Sequence, residues 1–153
     1  MSETNSLPAL GFAANMTDEE RAMLGGYGEA ITTNEGDVLI EEGQPQDSLF
    51  LIIFGQFHVQ TSKASGRPIL LGSLKAGDTI GEINMFDPAN ASASVVAKTL
   101  AQAWKIDRAQ LEKYLEENSA AAARLLVEIA TQLSHRLRMT NDKVAVTQES
   151  NLG

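Results

Sequence analysis

The residues best suited to binding chemistry stand near the middle of the chain. Gly81 and Glu82 follow an expected strand, and Ser92 opens a run of small residues ten positions later. A Gly-Glu pair in this setting predicts a helical N-terminus at the mouth of a pocket, where free backbone amides favour an anion. Small residues let such a ligand approach closely. Two roles stay open for Glu82, a contact to a ligand or a cap for its own turn, and Ser92 is equally compatible with a plain strand residue.

Residue types exclude several other chemistries. The chain has no cysteine, which rules out disulfides, thiolate zinc sites and a thiol nucleophile. Its two histidines, His58 and His135, fall on separate expected elements without an acidic partner in register. Neither a Ser-His-Asp arrangement nor a His-rich metal cluster follows from them. We therefore expect a binding protein without a metal, and not an enzyme.

The composition is that of one folded domain with an acidic surface. The 153 residues are 43% hydrophobic, which allows a buried core, and the net charge is -8. This balance rules out a generally basic surface for nucleic acid. The longest purely apolar run, Leu49–Phe54, is far shorter than the roughly 20 residues that span a bilayer. The first residues do not have the pattern of a signal peptide, so we expect a cytoplasmic protein.

Turn residues divide residues 27–107 into short strands. A short helix precedes them: Thr17 is its expected N-cap, Glu20 completes a capping box, and Gly25-Gly26 ends it. Evenly spaced short strands predict an antiparallel sandwich or barrel, and Trp104 on the last strand is an expected core residue. The expected strands are Val38–Ile40, Leu49–Phe54, Phe57–Gln60, Ile69–Leu74, Ser92–Ala97 and Gln102–Ile106.

Two helices are predicted after the last strand. Asp107 caps the first, which extends to Glu117, and Asn118 or Ser119 caps a longer one that reaches about Val144. A helix of roughly 25 residues is about 37 Å long, longer than a barrel of this size is wide. We therefore expect part of its apolar stripe to pair with a second copy in a homodimer, although the stripe would also serve to cover the barrel. The stripe is Leu126, Ile129, Leu133, Leu137, Thr140 and Val144.

Glycine-anchored blocks between residues 36 and 82 resemble those of the cyclic nucleotide-binding domain family. The blocks are Gly36–Gly43, Asp47–Gly55, Gly77-Asp78 and Gly81-Glu82. The family includes catabolite activator-type transcription factors, protein kinase A regulatory subunits and gated ion channels. The resemblance covers about residues 12–147 and implies a single domain over residues 1–153. It implies a mainly β fold: a short helix and an antiparallel β-roll or jelly-roll barrel over about 12–107, C-terminal helices over 108–146, and a tail over 147–153.

The resemblance also implies a phosphate-binding cassette over residues 81–95. In the family, the glutamate of this segment accepts a hydrogen bond from the ribose 2′-hydroxyl, and an arginine pairs with the cyclic phosphate. Gly81, Glu82, Ser92, Ala93 and Val95 match the pattern, whereas Ala91 occupies the position of the arginine and Asn84 replaces a small apolar residue. Thr140 and Asn141 fall where the long helix reaches the base in the family, or are solvated helix residues. The predicted ligand-binding residues are Leu71, Gly72, Gly81, Glu82, Ile83, Asn84, Ala91, Ser92, Ala93, Thr140 and Asn141.

These features together predict a dimeric regulatory or sensor module. Its ligand would be cAMP or cGMP bound weakly, or a related small molecule, because the arginine that pairs with the phosphate is missing. The alternative is a ligand-free scaffold that serves as a dimerisation or interaction module. We expect a homodimer through the C-terminal helix, and a protein partner is compatible with either function. The 153 residues hold no winged helix-turn-helix, so we expect no DNA binding, and no membrane association.

Overall fold

Two antiparallel four-stranded sheets form the body of the molecule. The structure is a computed structural model that describes residues 6–63 and 66–152, and the side chains of the last helix are described through Met139. One sheet has the order β1-β10-β4-β7 and the other the order β2-β9-β5-β6, and β3 pairs with β8. The strands are β1 Glu29–Thr33, β2 Val38–Ile40, β3 Pro45–Gln46, β4 Ser48–Phe54, β5 Phe57–Thr61, β6 Ile69–Leu74, β7 Thr79–Ile80, β8 Ala89–Asn90, β9 Ser94–Ala97 and β10 Ala101–Asp107. The predicted antiparallel β-roll with flanking helices is confirmed.

Helices precede and follow the strands in the chain, and one short helix lies between β7 and β8. They are a 3-10 turn at Gly11–Ala13, α1 Asp18–Gly25, α2 Glu82–Phe86, α3 Arg108–Glu117 and α4 Ser119–Leu152. The Thr17 hydroxyl accepts from the amide of Glu20, whose carboxylate accepts from the amide of Thr17, so the capping box is confirmed. Asp107 caps α3 in the same way, with Gln110 as its partner. Within the described residues no helix has the length and apolarity needed to cross a membrane.

The last helix is longer than the sequence predicted. It continues past Val144 to Leu152, so residues 147–152 are helical and are not the expected tail. Gly153 is the first glycine or proline after Pro88, and without such a residue nothing in the local sequence ends the helix earlier. Residues 119–152 therefore form one continuous helix.

The core is built in two parts on either side of the first sheet. Between the two sheets, Phe50, Ile52 and Phe57 are buried. Trp104 and Ile129 belong to the other part, where the first sheet meets the helices. The predicted burial of Trp104 is confirmed, and its indole Nε1 donates to the carbonyl of Gly25 at 3.2 Å. Packing against Trp104 and its neighbours anchors α4 to the β-roll.

The apolar stripe of α4 divides between two environments. Ile129 is buried, and Leu126 and Leu133 are partly buried against the core of the same chain. Leu137, one turn after Leu133, is 62% exposed. The side chains of Thr140 and Val144 lie outside the described ones. The first part of the stripe thus covers the barrel, and the described part beyond Leu133 is left exposed.

Candidate ligand-binding cavity

A cavity of about 300 Å³ opens where α2, the cassette segment and α4 meet the β-roll. Its wall combines aliphatic side chains from both sheets with a few polar groups. The described lining residues are Ile40, Val59, Thr79, Ile80, Gly81, Glu82, Ile83, Asn84, Asn90, Ala91, Ser92, Ala93, Val95 and Arg136. This size is at the lower end of the range for small-molecule sites.

A left-handed glycine places α2 at the cavity. Gly81 has φ of 87°, and a Cβ atom there would overlap the carbonyl oxygen of Ser48. Only glycine adopts this conformation without strain and avoids that overlap. The turn it makes starts α2 and directs Glu82 into the interior. With five residues, α2 has a small summed dipole, so its amides attract an anion less than the predicted helical N-terminus would.

Glu82 is the buried charged group of this site. Its side chain is 8% exposed, and its Oε1 accepts a hydrogen bond from Nη1 of Arg136 on α4, forming an ion pair. The other terminal nitrogen of Arg136 donates to the carbonyl of Thr79 at 3.3 Å. The Glu82 carboxylate is therefore directed to α4, and the alternative that it caps its own turn is not what the structure shows.

Two buried oxygen atoms of the cavity wall have no hydrogen-bond partner among the described residues. They are Oε2 of Glu82 and Oγ1 of Thr79. Both residues are buried, with 6% and 5% of their surface exposed. A buried polar atom of this kind normally has a partner, and leaving it unsatisfied costs about 1–3 kcal/mol. A ligand that reached these atoms would supply hydrogen bonds that the described residues do not.

The backbone of the cassette holds position 91 in place. The amide of Ala91 donates to the carbonyl of Gln44 at 2.8 Å, and its carbonyl accepts from the amide of Gly43 at 2.9 Å. The Ala91 side chain is buried and presents a methyl group to the cavity. Nearby, the Ser94 hydroxyl accepts from the amide of Glu42 at 2.9 Å. The turn at residues 41–44 and the cassette are thus joined by two backbone hydrogen bonds and by one to the Ser94 hydroxyl, and none of them needs an arginine.

The structure brings most of the predicted site residues to one place. Gly81–Asn84 and Ala91–Ala93 all line the cavity. Leu71 and Gly72 lie on β6 and are not among the lining residues; Leu71 is 59% exposed. The side chains of Thr140 and Asn141 fall outside the described ones. Among the described residues, no group of three or more His, Asp or Glu could hold a metal ion.

Among the lining residues that sequence reasoning did not identify, Thr79 and Arg136 contribute polar chemistry to the cavity. The side chain of Arg136 is 47% exposed and forms an ion pair with the buried Glu82, a partner that its charged neighbours in the sequence do not reveal. A signal was present: Arg136 follows the buried Ile129 by seven residues, which is two helical turns and places both on the same side of α4. A charged residue on the buried side of an amphipathic helix indicates a buried partner, which here is Glu82.

An antiparallel β-roll with a glutamate-bearing cavity covered by a C-terminal helix defines the class of cyclic nucleotide-binding domains. The chain belongs to this family: the family model of the cyclic nucleotide-binding domain matches the sequence over residues 31–118, which is more than half of the chain. The resemblance predicted from the sequence is thereby confirmed.

Individual relatives agree with this assignment. A CRP-like cAMP-activated global transcriptional regulator of Mycobacterium tuberculosis is 31% identical over 110 residues, which are 72% of this chain and 47% of that protein. The chain spans about half the length of that relative. A cyclic nucleotide-binding domain from Methylobacillus flagellatus superimposes with a TM-score of 0.76 at 26% identity, covering 84% of this chain and 72% of that one.

A third similar protein was solved with a nucleoside bound. It is the regulatory subunit of a cAMP-independent protein kinase A from Trypanosoma cruzi, bound to guanosine. It is 26% identical, has a TM-score of 0.59, and covers 69% of this chain and 37% of that one.

Proposed function

We propose that this domain is a dimeric regulatory sensor whose cavity binds a small ligand and whose α4 transmits the binding event. The observation that carries the proposal is the ion pair between Glu82 in the cavity and Arg136 on α4. A ligand that contacts the Glu82 carboxylate has a different affinity for the domain with this ion pair formed than for the domain with the ion pair broken. It therefore shifts the position of α4, and with it the surface that α4 offers to a partner.

The small side chain of Ala91 supports weak binding of cyclic nucleotides. A charge-assisted hydrogen bond from an arginine contributes about 1.5–3 kcal/mol, which is one to two orders of magnitude in affinity. Ala91 contributes no such bond. The trypanosomal relative, described as cAMP-independent and bound to guanosine, supports a ligand other than a cyclic nucleotide for a domain of this fold.

A thermal-shift screen of the full chain tests the sensor function. The compounds are cAMP, cGMP, cyclic dinucleotides and the parent nucleosides, each at concentrations up to millimolar. Because a ligand that binds only the folded state raises the melting temperature by mass action, a sensor shows a concentration-dependent rise with at least one of them. A rise that follows the logarithm of the ligand concentration, and that chemically similar compounds do not cause, separates specific binding from solvent effects.

A ligand-free scaffold is the second candidate function. One observation favours it: Arg136 already supplies the buried Glu82 with an ionic partner, so this contact closes the site from within the chain. Under this function, no compound in the screen changes the melting temperature.

The exposed part of α4 is the proposed dimer surface. Leu137, a member of the apolar stripe, is 62% exposed. A second copy of the helix would cover it in a parallel homodimer. Replacing Leu137 by Glu places a charge in that seam without touching the core, and light scattering at tens of micromolar should then report a monomer. Thr131→Glu, at an exposed position on another side of α4, is the matched control and should leave a dimer. A wild-type monomer at this concentration contradicts the proposal.

We infer that the domain acts by regulation and that these residues do not bind DNA. The mycobacterial relative is a transcriptional regulator, and this chain matches about half of it. The net charge of -8 opposes contact with a phosphate backbone. A mobility shift at nanomolar protein with any duplex, at physiological salt, would contradict this inference.

A further inference from the structure

Among the residues that the structure describes, the charges that line the cavity are one carboxylate and one guanidinium. Among the described lining residues, the ionisable side chains are Glu82 and Arg136, and they form an ion pair with each other. The guanidinium of Arg136 also donates to the carbonyl of Thr79. At position 91 the wall presents a methyl group. A ligand with a negative charge would therefore enter a site whose one described cationic group is already matched by a carboxylate, and it would be desolvated without compensation.

The buried groups of the cavity that lack a partner among the described residues need hydrogen-bond donors and not a charged partner. Oε2 of Glu82 is buried and without a partner among the described residues, and a carboxylate oxygen can only accept a hydrogen bond. The ligand must therefore supply an O–H or N–H at this point. The Thr79 hydroxyl, also buried and unsatisfied, can donate or accept. A hydroxyl group of a ligand could serve either of these groups.

The rest of the wall suits a flat, largely apolar ring. Ile40, Val59 and Val95 contribute branched aliphatic surface, and Ile80 extends it. The volume of about 300 Å³ admits one small molecule and not a dinucleotide. Asn84 and Asn90, which also line the cavity, provide polar groups without charge.

We propose that the cavity selects a neutral ribonucleoside over the corresponding cyclic nucleotide. One ribose hydroxyl donates to Oε2 of Glu82, the base lies against the aliphatic wall, and the methyl of Ala91 faces the part of the cavity where a phosphate would otherwise sit. Glu82 thus acts as an acceptor whose charge Arg136 neutralises, so that the site excludes anions while it retains hydrogen bonding. This inference rests on the proposed sensor function and names its ligand class.

Calorimetry on the full chain with matched ligands tests the selection. Adenosine and guanosine are each compared with their 3′,5′-cyclic monophosphates and with their 2′-deoxy and 3′-deoxy forms. We expect one nucleoside to bind at least about tenfold more tightly than its cyclic phosphate. We also expect one of its deoxy forms to lose about tenfold or more, because a hydrogen bond to a charged acceptor is removed.

Two variants show whether local charge causes the selection. Glu82→Gln removes the carboxylate charge from the cavity while keeping a side chain of similar size, so the preference for the nucleoside over the cyclic nucleotide should fall by about tenfold or more. Glu112→Gln makes the same change in total charge at an exposed position of α3, outside the cavity, and should leave the preference unchanged.

The outcomes separate this inference from the proposed function. A cyclic nucleotide that binds as tightly as its nucleoside, or more tightly, overturns the selection while the sensor function stands. A preference that Glu112→Gln changes as much as Glu82→Gln also overturns it, because total charge would then be the cause. Binding of none of the ligands, together with a silent thermal-shift screen, contradicts the sensor function itself.

Discussion

The two ends of the cavity are held by different parts of the chain. At the Glu82 end, a buried carboxylate is joined to α4 through Arg136, so side chains from distant segments make the site. At the Ala91 end, the hydrogen bonds to Gly43 and Gln44 are made by the backbone, and the side chain adds a methyl group. The shape of the Ala91 end therefore does not depend on its side chain, whereas its charge does. A change of one residue can alter the ligand without altering the fold.

The largest expected effect comes from a glycine at the Glu82 end. Gly81→Ala combines a left-handed φ with overlap of the new Cβ and the Ser48 carbonyl. We expect a loss of about 3–4 kcal/mol in the free energy of unfolding, measured by chemical denaturation. Gly43, in the turn that contacts Ala91, has the same φ of 87°, but a Cβ atom there would point into open space, with no atom within 4 Å beyond its chain neighbours.

Gly43→Ala is thus the matched control at the Ala91 end. It carries the backbone strain alone and should cost about 1 kcal/mol. Equal losses for the two variants would show that the close approach of Gly81 to Ser48 does not matter, and would contradict the account of how α2 is placed.

A smaller effect is expected when the ion pair at the Glu82 end is broken. Arg136→Gln leaves the buried Glu82 without its ionic partner, but the Arg136 side chain is 47% exposed, so solvent screens part of the interaction. We expect a loss of about 1 kcal/mol in the free energy of unfolding. Arg138→Gln, an exposed arginine on the same helix that does not line the cavity, should stay within about 0.5 kcal/mol of the wild type.

A double-mutant cycle tests whether the stability lost in Arg136→Gln comes from the contact with Glu82. In a Glu82→Gln background, Arg136→Gln should cost clearly less than in the wild type, since the two residues are in contact. Additive losses would mean that Arg136 stabilises α4 through other contacts.

The smallest effect concerns acid stability at the Ala91 end. Glu42, in the turn beside Ala91, accepts hydrogen bonds from the hydroxyl of Thr61 and from the amide of Ser62, which lower the pKa of its carboxyl group below the ordinary value of 4.5. A lowered pKa in the folded state stabilises the fold above the unfolded pKa, and this stabilisation is lost as the pH falls through the folded value.

Thermal denaturation against pH tests this contribution. The difference in melting temperature between the wild type and Glu42→Gln should be present at pH 7 and should shrink below about pH 4.5. The neighbouring exposed Glu41→Gln serves as the control and should show no such difference. A difference for Glu42→Gln that persists unchanged at pH 3 would rule out the carboxylate as its source.

Local features of this fold could be predicted because neighbours in sequence determine them. The capping box of Thr17 and Glu20 and the cap at Asp107 each join residues three positions apart. Strand β1 was missed because most of its residues are exposed and show no alternation, while its pairing with β10 spans the chain. Strands of two residues, such as β7, are too short to carry a pattern.

The site was predictable in its cassette and not in its contact with α4. Glu82 and Ala91 were identified by their places in a motif, which is a property of the sequence. The partner of Glu82 lies 54 residues further along, and only the packing of α4 on the β-roll brings Arg136 to it. The unsatisfied oxygens of Thr79 and Glu82 likewise depend on tertiary burial, which spacing does not report.

We propose that the Ala91 end keeps the shape of a phosphate site but lacks its charge, and Ala91→Arg tests this claim most directly. Calorimetry with cAMP and cGMP should show affinity rising by roughly ten- to a hundredfold over the wild type, because a charge-assisted contact is restored. Glu82→Ala in the Ala91→Arg background should remove much of the gain, since a ribose hydroxyl loses its acceptor. Equal, undetectable binding by the wild type and Ala91→Arg would contradict the claim, and so would micromolar binding of a cyclic nucleotide by the wild type.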